Sequence, residues 1–96
     1  MSTIQLELTE RGYLHLPADL ARQRFPGDVL VALVRAPELW LLPLRGPGAG
    51  GLLLKQRNRD GDRSVLLAEL LPAGTAPGPR LAFWDERAGA LRMVLQ

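Results

Sequence analysis

The sequence predicts a mainly β domain, a small β-barrel of short antiparallel strands and hairpins with one short helix after Pro17. Eight prolines and ten glycines interrupt the 96-residue chain too often for a bundle of long helices. Several short segments alternate apolar and polar residues, as strands with one buried face do. The length is that of one domain, and a hydrophobic content of 47% is enough for its core. We therefore expect residues 1–96 to form a single domain.

The composition also limits the chemistry and the location of the protein. The chain has no cysteine, which excludes disulfides, zinc–thiolate sites, iron–sulfur clusters and cysteine nucleophiles. Its N-terminus lacks the basic start and apolar run of a signal peptide, and no apolar stretch approaches the roughly 20 residues that span a bilayer. We therefore expect a cytoplasmic protein that does not associate with membranes. The net charge of +2 is small and indicates no concentrated basic patch.

The first 25 residues predict a hairpin followed by a helix. Residues 4–8 alternate apolar and polar as a strand, the turn at residues 10–12 contains glycine, and residues 13–16 form the returning strand. Pro17 ends that strand and favours the first turn of a helix over residues 18–25. With only about two turns, this helix depends on tertiary packing. Its buried side is predicted to comprise Leu16, Leu20 and Phe25.

Two further strands are predicted before the middle of the chain. Residues 29–34 are an unbroken apolar run rich in β-branched residues, which is typical of a strand buried on both faces. Residues 36–38 are a turn, and residues 39–44 form the fourth strand. Pro43 lies within that segment, so we expect it at a sheet edge or at a strand end.

The second half of the chain predicts two more hairpins. Residues 45–51 are too rich in glycine for regular structure and form a linker. An exposed loop at residues 58–62 joins strands at 52–57 and 63–71, although a helix over residues 64–71 is an alternative for the second of them. A proline- and glycine-rich connection at 72–79 leads to a last hairpin, whose strands are predicted at 80–84 and 90–95.

The residues that catalysis or metal binding usually requires are few. His15 is the only histidine, and we expect no carboxylate opposite it within its own hairpin. Asp60 and Asp62 lack the other acidic positions of a calcium loop. Asp85 and Glu86 are adjacent, so in a strand they point to opposite faces and form no acid–base pair. We therefore expect no enzymatic activity, no cofactor and no metal site.

One group of cations and one group of aromatic residues are candidates for binding. Lys55, Arg57 and Arg59 share a face if their strand extends, which forms a secondary basic group able to meet phosphates; the alternative is a charge-balanced hairpin, because aspartates lie beside them. Trp40 and Trp84 are candidates for an interface, with core filling as the alternative. Phe83 precedes Trp84 directly, so the two cannot face the same core.

The stretch from Thr9 to Leu20, continued by Pro26-Gly27-Asp28-Val29, resembles the swapped-hairpin DNA-binding domain of the AbrB, SpoVT and MazE group. A turn with a basic residue and glycine, an apolar strand, a short helix that starts with proline and a glycine–aspartate turn occur there in this order. The match covers roughly the first 35 residues. Residues 1–45 are thus an AbrB-like hairpin–helix–hairpin part, and residues 46–96 are a β-hairpin extension of unknown role.

This resemblance implies an intertwined homodimer whose strands complete one barrel and present arginines to DNA. Arg11 matches the basic turn position, and Arg22 and Arg24 extend the DNA-binding surface. The first functional hypothesis is therefore a small dimeric DNA-binding transcriptional regulator or antitoxin-like module. The alternative is a non-catalytic β-barrel accessory protein that binds another protein during assembly or regulation.

Overall fold

The computed structural model of the chain describes residues 2–46 and 50–96. These residues fold as predicted into a mainly β structure with antiparallel strands and one short helix after Pro17. The elements are, in chain order, β1 (Ile4–Leu8), β2 (Tyr13–Leu16), α1 (Ala18–Arg24), β3 (Val29–Arg35), β4 (Glu38–Pro43), β5 (Leu52–Leu53), β6 (Lys55–Gln56), β7 (Arg63–Leu66), β8 (Gly78–Asp85) and β9 (Ala90–Val94).

The strands form one antiparallel sheet that curls into a nearly closed barrel, in the order β5-β3-β4-β9-β8-β1-β2-β7-β6. β1 pairs with β8 and β4 pairs with β9, so strands of the second half complete the sheet within one chain. β5 and β6 belong to one bent segment. β5 pairs with β3 at one side of the sheet, and β6 pairs with β7 at the other. This segment therefore joins the two sides of the sheet.

Asp28, in the turn between α1 and β3, holds this closure. Its carbonyl oxygen accepts a hydrogen bond of 2.8 Å from the backbone N–H of Leu54, the buried residue between β5 and β6. Its carboxylate accepts a hydrogen bond of 3.0 Å from Nε of Arg63 on β7. Asp28 has a φ of 55°, a left-handed conformation that aspartate adopts more readily than most residues. One residue thus links the α1–β3 turn to the β5–β6 segment and to β7. We call the place where these parts meet and the barrel closes the seam.

α1 covers the end of the barrel at which β1 begins and β2 ends. Leu20 and Phe25 are buried against the core, as predicted. Pro17 stands at the N-cap without a side-chain acceptor, so the N–H of Ala18 donates instead to the carboxylate of Asp62, at 2.8 Å. A helix of seven residues is therefore stabilised by burial and by a cap from a distant loop. Within the described ranges, α1 is the one helix, and it lacks the length and apolar character for crossing a bilayer.

The core consists of the inward-facing side chains of the sheet and α1, because each strand turns every second residue inward. Arg80 is the one buried charged residue in the described parts of the chain. Its guanidinium donates to the carbonyl oxygens of Leu95 at 3.0 Å, Pro79 at 3.1 Å and Ala76, which satisfies a buried cation without a carboxylate. The largest fully buried side chains are Phe25, Leu6, Leu8, Leu14, Leu16, Leu30, Leu39, Leu41, Leu67, Leu91, Met93 and Val29.

The prediction that residues 29–34 are buried on both faces is wrong. Val29 and Leu30 are buried, but Leu33 and Val34 are 39% and 43% exposed. A single-layer barrel covers only the inner face of a strand, and the last residues of β3 extend beyond the core. The hydrophobic run therefore supplies part of the protein surface as well as part of the core.

The strands around the seam also differ from the prediction. Residues 52–57 are not one strand but two short ones separated by Leu54, because the chain leaves β3 there in order to reach β7. For residues 63–71 the strand prediction is confirmed as far as Leu66, and the helical alternative is wrong. Val65 and Leu67 are buried while Leu66 is exposed, which is the period of a strand.

The last hairpin forms as predicted, with three small differences in its bounds, one of which is that β8 ends at Asp85 rather than at residue 84. β8 begins at Gly78 rather than at residue 80, and β9 ends at Val94. Pro43 is the last residue of β4, which confirms its place at a strand end. Of the predicted linker at residues 45–51, residues 47–49 lie outside the described residues.

Gly12 closes the β1–β2 turn at a position that has no room for a side chain. Its φ is +86°, a conformation that glycine adopts without steric cost. A Cβ built there would stand 2.6 Å from the Cβ of Ala68 and 2.7 Å from its Cα. Gly74 has a similar φ of +82°, but a Cβ built there would meet no atom within 4 Å. An alanine substitution at Gly74 therefore tests backbone strain alone, whereas one at Gly12 tests backbone strain and crowding together.

We expect Gly12→Ala to lower the free energy of unfolding more than Gly74→Ala does. Both changes force alanine into the left-handed region, which costs roughly 1 kcal/mol. Gly12→Ala also crowds Ala68, and overpacking adds about 1–3 kcal/mol. Urea unfolding of the two variants measures the difference. Equal losses would contradict the close contact between the β1–β2 turn and Ala68.

Candidate functional site

The outer surface of β3, β4, β9 and β8 carries a row of apolar, aromatic and cationic side chains. The strand register places Leu33 opposite Trp40, Trp40 opposite Arg92, and Arg92 opposite Phe83. Residues directly opposite each other share a face, so these four side chains form a continuous row across four strands. We call this surface, together with the residues beside the row, the outer face. The outer face comprises Leu33, Arg35, Glu38, Trp40, Leu81, Phe83, Asp85, Arg92 and Val94.

Arg92 lies at the centre of the outer face and is held from several directions. Its guanidinium lies 4.8 Å from the centre of the Trp40 ring and 4.9 Å from that of Phe83. Its Nε donates to Glu38 at 2.9 Å, and its Nη1 donates to Asp85 at 2.9 Å. The two carboxylates raise the pKa of Arg92, and the hydrogen bond that Arg92 donates to Asp85 has the strongest effect. The guanidinium is therefore held in position, and its positive charge is paired with carboxylates on the same face.

Trp40 is likewise fixed in orientation. Its Nε1–H donates to Oε1 of Glu38 at 3.0 Å, the same oxygen that accepts from Arg92. A second guanidinium, that of Arg35, lies 4.7 Å from the ring centre. The indole is thus bound to one carboxylate and contacted by two cations, which leaves it little rotational freedom on the surface.

Asp85 connects this network to the β8–β9 turn. Its Oδ1 accepts backbone N–H bonds from Ala88 at 3.1 Å and Arg87 at 3.0 Å, while its Oδ2 accepts from Arg92. These bonds, that of Ala88 first, hold the pKa of Asp85 below its usual value. Glu86 instead contacts Arg24 on α1, so the two adjacent carboxylates point in different directions, as predicted.

Exposed aliphatic residues border the aromatic row. Leu81 on β8 is 55% exposed, and Val94 on β9 lies in register with Glu38. Aromatic and arginine side chains flanked by aliphatic ones are the composition of energetically important protein interfaces. Arg92 is paired with Glu38 and Asp85, so covering it leaves no isolated cation at the centre of this surface.

Sequence reasoning identified Trp40 but neither Arg92 nor Glu38 as site residues. The sequence predicts only the direction of the Arg92 side chain. Arg92 lies between the apolar residues Leu91 and Met93, so it belongs to the polar face of β9. Which side chains stand beside it depends on the pairing of β9 with β4 and β8, and these strands are far apart in the sequence.

Trp84 lies on the opposite side of β8 from Phe83, so the expectation that the two do not share the core is confirmed. Its ring packs edge-on against Phe25, with 6.4 Å between ring centres and 89° between planes. The guanidinium of Arg24 lies 4.6 Å from the ring centre. The indole Nε1 is buried, and no residue in the described ranges accepts a hydrogen bond from it.

The structure does not bring together the three arginines predicted to bind DNA. Arg11 is exposed in the β1–β2 turn, whereas Arg22 and Arg24 lie on α1 at the other end of β2, roughly 15 Å away at about 3.3 Å per residue. Arg22 pairs with Asp19, and Arg24 lies 3.3 Å from Glu86. Two residues apart on a helix, Arg22 and Arg24 also project to different sides.

The secondary basic group does not form a ladder. Lys55, Arg57 and Arg59 were expected to share a strand face only if their strand extended, and β6 ends at Gln56, so that condition is not met. The backbone turns there because the N–H of Arg57 bonds to the carbonyl of Asp62, and the guanidinium lies 4.0 Å from the Asp62 carboxylate. Lys55 and Arg59 remain exposed. These contacts favour the charge-balanced hairpin over the phosphate-binding ladder.

His15 has a carboxylate opposite it, contrary to the prediction. The β1–β2 turn sets a register in which Glu7 faces His15, beside a cavity of about 240 Å³ that Arg57 and Asp62 also line. Burial, followed by Arg57, lowers the pKa of His15, and Glu7 acts in the opposite direction. In the ranges 2–46 and 50–96, no three His, Asp or Glu side chains are grouped to hold a metal ion.

Stability is expected to depend on the protonation of His15. Because the pKa of His15 is lower in the folded protein than its ordinary value of 6.5, the unfolded chain takes up the proton first as the pH falls. The free energy of unfolding should therefore rise with pH up to about 6.5 and level off above it. Urea unfolding between about pH 5 and pH 8 measures this slope. The His15→Gln variant should give a flatter profile, and an identical slope would exclude His15 as its source.

Comparison with known proteins gives no relative from which a function can be transferred. No protein-family model matches the chain, and no curated protein or solved structure matches it.

Proposed function

We propose that the protein is a non-catalytic protein-binding module and that the outer face is its binding surface. The observation that carries this proposal is the row of Leu33, Trp40, Arg92 and Phe83, in which one arginine lies over two aromatic rings. Tryptophan and arginine are the residues most often found at binding hot spots. Both are held in position before any partner arrives, which reduces the entropy lost on binding.

The charges of this surface favour a protein partner over a polyanion. Arg92 is neutralised by Glu38 and Asp85, so it offers no unmatched cation to a phosphate. Leu33 and Leu81 add exposed aliphatic area whose removal from water stabilises a complex by roughly 25 cal/mol per Å². Apolar contact, with the charges satisfied within the face, is the expected mode of recognition.

A second copy of the chain is the occupant that this surface fits best. Two cations, Arg35 and Arg92, are balanced by two anions, Glu38 and Asp85, so two outer faces do not repel each other. A two-fold axis brings the same patch of both copies together. Sheets that pack face to face in this way lie about 10 Å apart. The resulting homodimer would act as an accessory protein in assembly or regulation.

Light scattering and sedimentation measure this association. We expect the unmodified chain to dimerise and Leu81→Lys to weaken the dimer at least about 30-fold, because the lysine ammonium would be buried in an apolar contact without a partner. Leu66→Lys is the matched control. Leu66 is 48% exposed on β7, outside the outer face, and its replacement should leave the dimer intact. A monomer at all concentrations up to about 1 mM, or a Leu81→Lys dimer of unchanged affinity, would contradict the proposal.

A dimeric DNA-binding regulator or antitoxin-like module is the second candidate. Six exposed cations, Arg11, Arg35, Arg45, Lys55, Arg59 and Arg87, make no ion pair within the described ranges, which leaves them available for contacts with phosphates. The AbrB-like sequence pattern around Arg11 supports the same function.

For this candidate we expect binding to duplex DNA that weakens as salt rises. Arg11→Ala should reduce the affinity and lower the slope of log affinity against log salt by about one, because one phosphate contact is lost. Arg87→Ala is the control and should change neither quantity, because it removes an equally exposed, unpaired arginine from the β8–β9 turn, at the other end of the barrel from Arg11. Fluorescence anisotropy with a labelled duplex measures both. Binding that is unchanged between low and moderate salt would exclude this function.

A further inference from the structure

A cleft of about 690 Å³ opens beside α1, at the end of the barrel that the helix covers. It lies between the C-terminal end of α1, the α1–β3 turn, the end of β4 and the side chain of Trp84. None of its lining residues belongs to the outer face. The lining residues that matter here are Arg24, Pro26, Pro43, Leu44, Arg45 and Trp84.

The charged side chains that line the cleft are all positive. Arg24 and Arg45 line it, and no carboxylate does. Arg45 is exposed and makes no ion pair within the described ranges. Arg24 reaches Glu86 at 3.3 Å, but the Glu86 side chain is 78% exposed, so water screens that pair. The cleft therefore attracts an anion, and arginine fits a carboxylate with two parallel hydrogen bonds.

Apart from Gln23, the rest of the lining is apolar. Pro26, Leu44 and Trp84 contribute hydrophobic walls, and the buried indole N–H of Trp84 has no acceptor within the described ranges. At Gly27 the α1–β3 turn and the end of β4 touch, since a Cβ there would stand 2.8 Å from the carbonyl oxygen of Leu44 and 3.0 Å from that of Arg45. A ligand that fills this cleft needs an apolar group as well as an anion.

We propose that the cleft binds an acidic peptide segment of a partner protein, in which a carboxylate lies next to a bulky apolar side chain. The carboxylate pairs with Arg24 and Arg45, and the apolar side chain packs against Pro26, Leu44 and Trp84. A nucleic acid fits less well, because it calls for a track of cations and a row of stacking aromatic rings, whereas the cleft has two arginines and one indole. This site is independent of the outer face and adds a second mode of binding to the proposed module.

Two-dimensional NMR gives a direct test, since Trp84 and Trp40 each contribute one indole N–H signal. The probe is a capped pentapeptide with one glutamate flanked by leucines, and its control is the same peptide with glutamine in place of glutamate. We expect the glutamate peptide to shift the Trp84 signal saturably and to leave the Trp40 signal unchanged. The glutamine peptide should bind at least about tenfold more weakly, because charge-assisted hydrogen bonds are lost.

Variants of the chain separate this site from the rest of the surface. Arg45→Gln should weaken binding of the glutamate peptide about tenfold, and its exposed position leaves the fold intact, which thermal unfolding verifies. Arg11→Gln, at the opposite end of the barrel, and Leu81→Lys, on the outer face, should leave the affinity unchanged. The proposal is overturned if both peptides bind equally, if Arg45→Gln has no effect, or if no shift occurs up to about 10 mM peptide. It is also overturned if a single-stranded oligonucleotide, but not the peptide, shifts Trp84 in an Arg45-dependent manner.

Discussion

The closure of the barrel at Asp28 is the constraint on which the rest of the structure depends. Its carbonyl oxygen holds the bent segment between β5 and β6, and its carboxylate holds Arg63 on β7. Strands as short as β5 and β6 have too few hydrogen bonds of their own to join the two sides of a sheet. The same turn continues into β3 and forms one wall of the cleft beside α1. A single left-handed residue thus links the seam, the helix and a candidate binding site.

A barrel made of one layer divides every strand between a core and a surface. The inner face takes the buried leucines, such as Leu6, Leu14 and Leu41, and the outer face is free to hold side chains that a core would not accept. Trp40, Arg92 and Phe83 occupy it with their hydrogen bonds and charges satisfied locally. This division depends on register, because a shift of one residue would exchange the two faces of a strand.

Neighbouring residues in the β8–β9 hairpin serve the two candidate sites. Phe83 turns outward to Arg92, while Trp84 turns inward to Phe25 and lines the cleft. Asp85 then binds Arg92 on the outer face, and Glu86 reaches Arg24 on α1. The alternation that packs the barrel therefore also separates a neutral aromatic surface from a cationic cleft.

The sequence by itself determined the features that depend on neighbouring residues. Alternation predicted β1, β2 and the last hairpin, glycine predicted the turn at Gly12, and Pro17 predicted the helix, because local backbone geometry decides these elements. Trp40 and Trp84 were predicted as interface candidates because they are large aromatic residues, and this remains a prediction. Tertiary structure alone decided which strands pair, and hence that Arg92 meets Trp40, that Glu7 faces His15 and that the predicted DNA-binding arginines lie apart. Such contacts join residues distant along the chain, and their register follows from the closed sheet rather than from any local pattern.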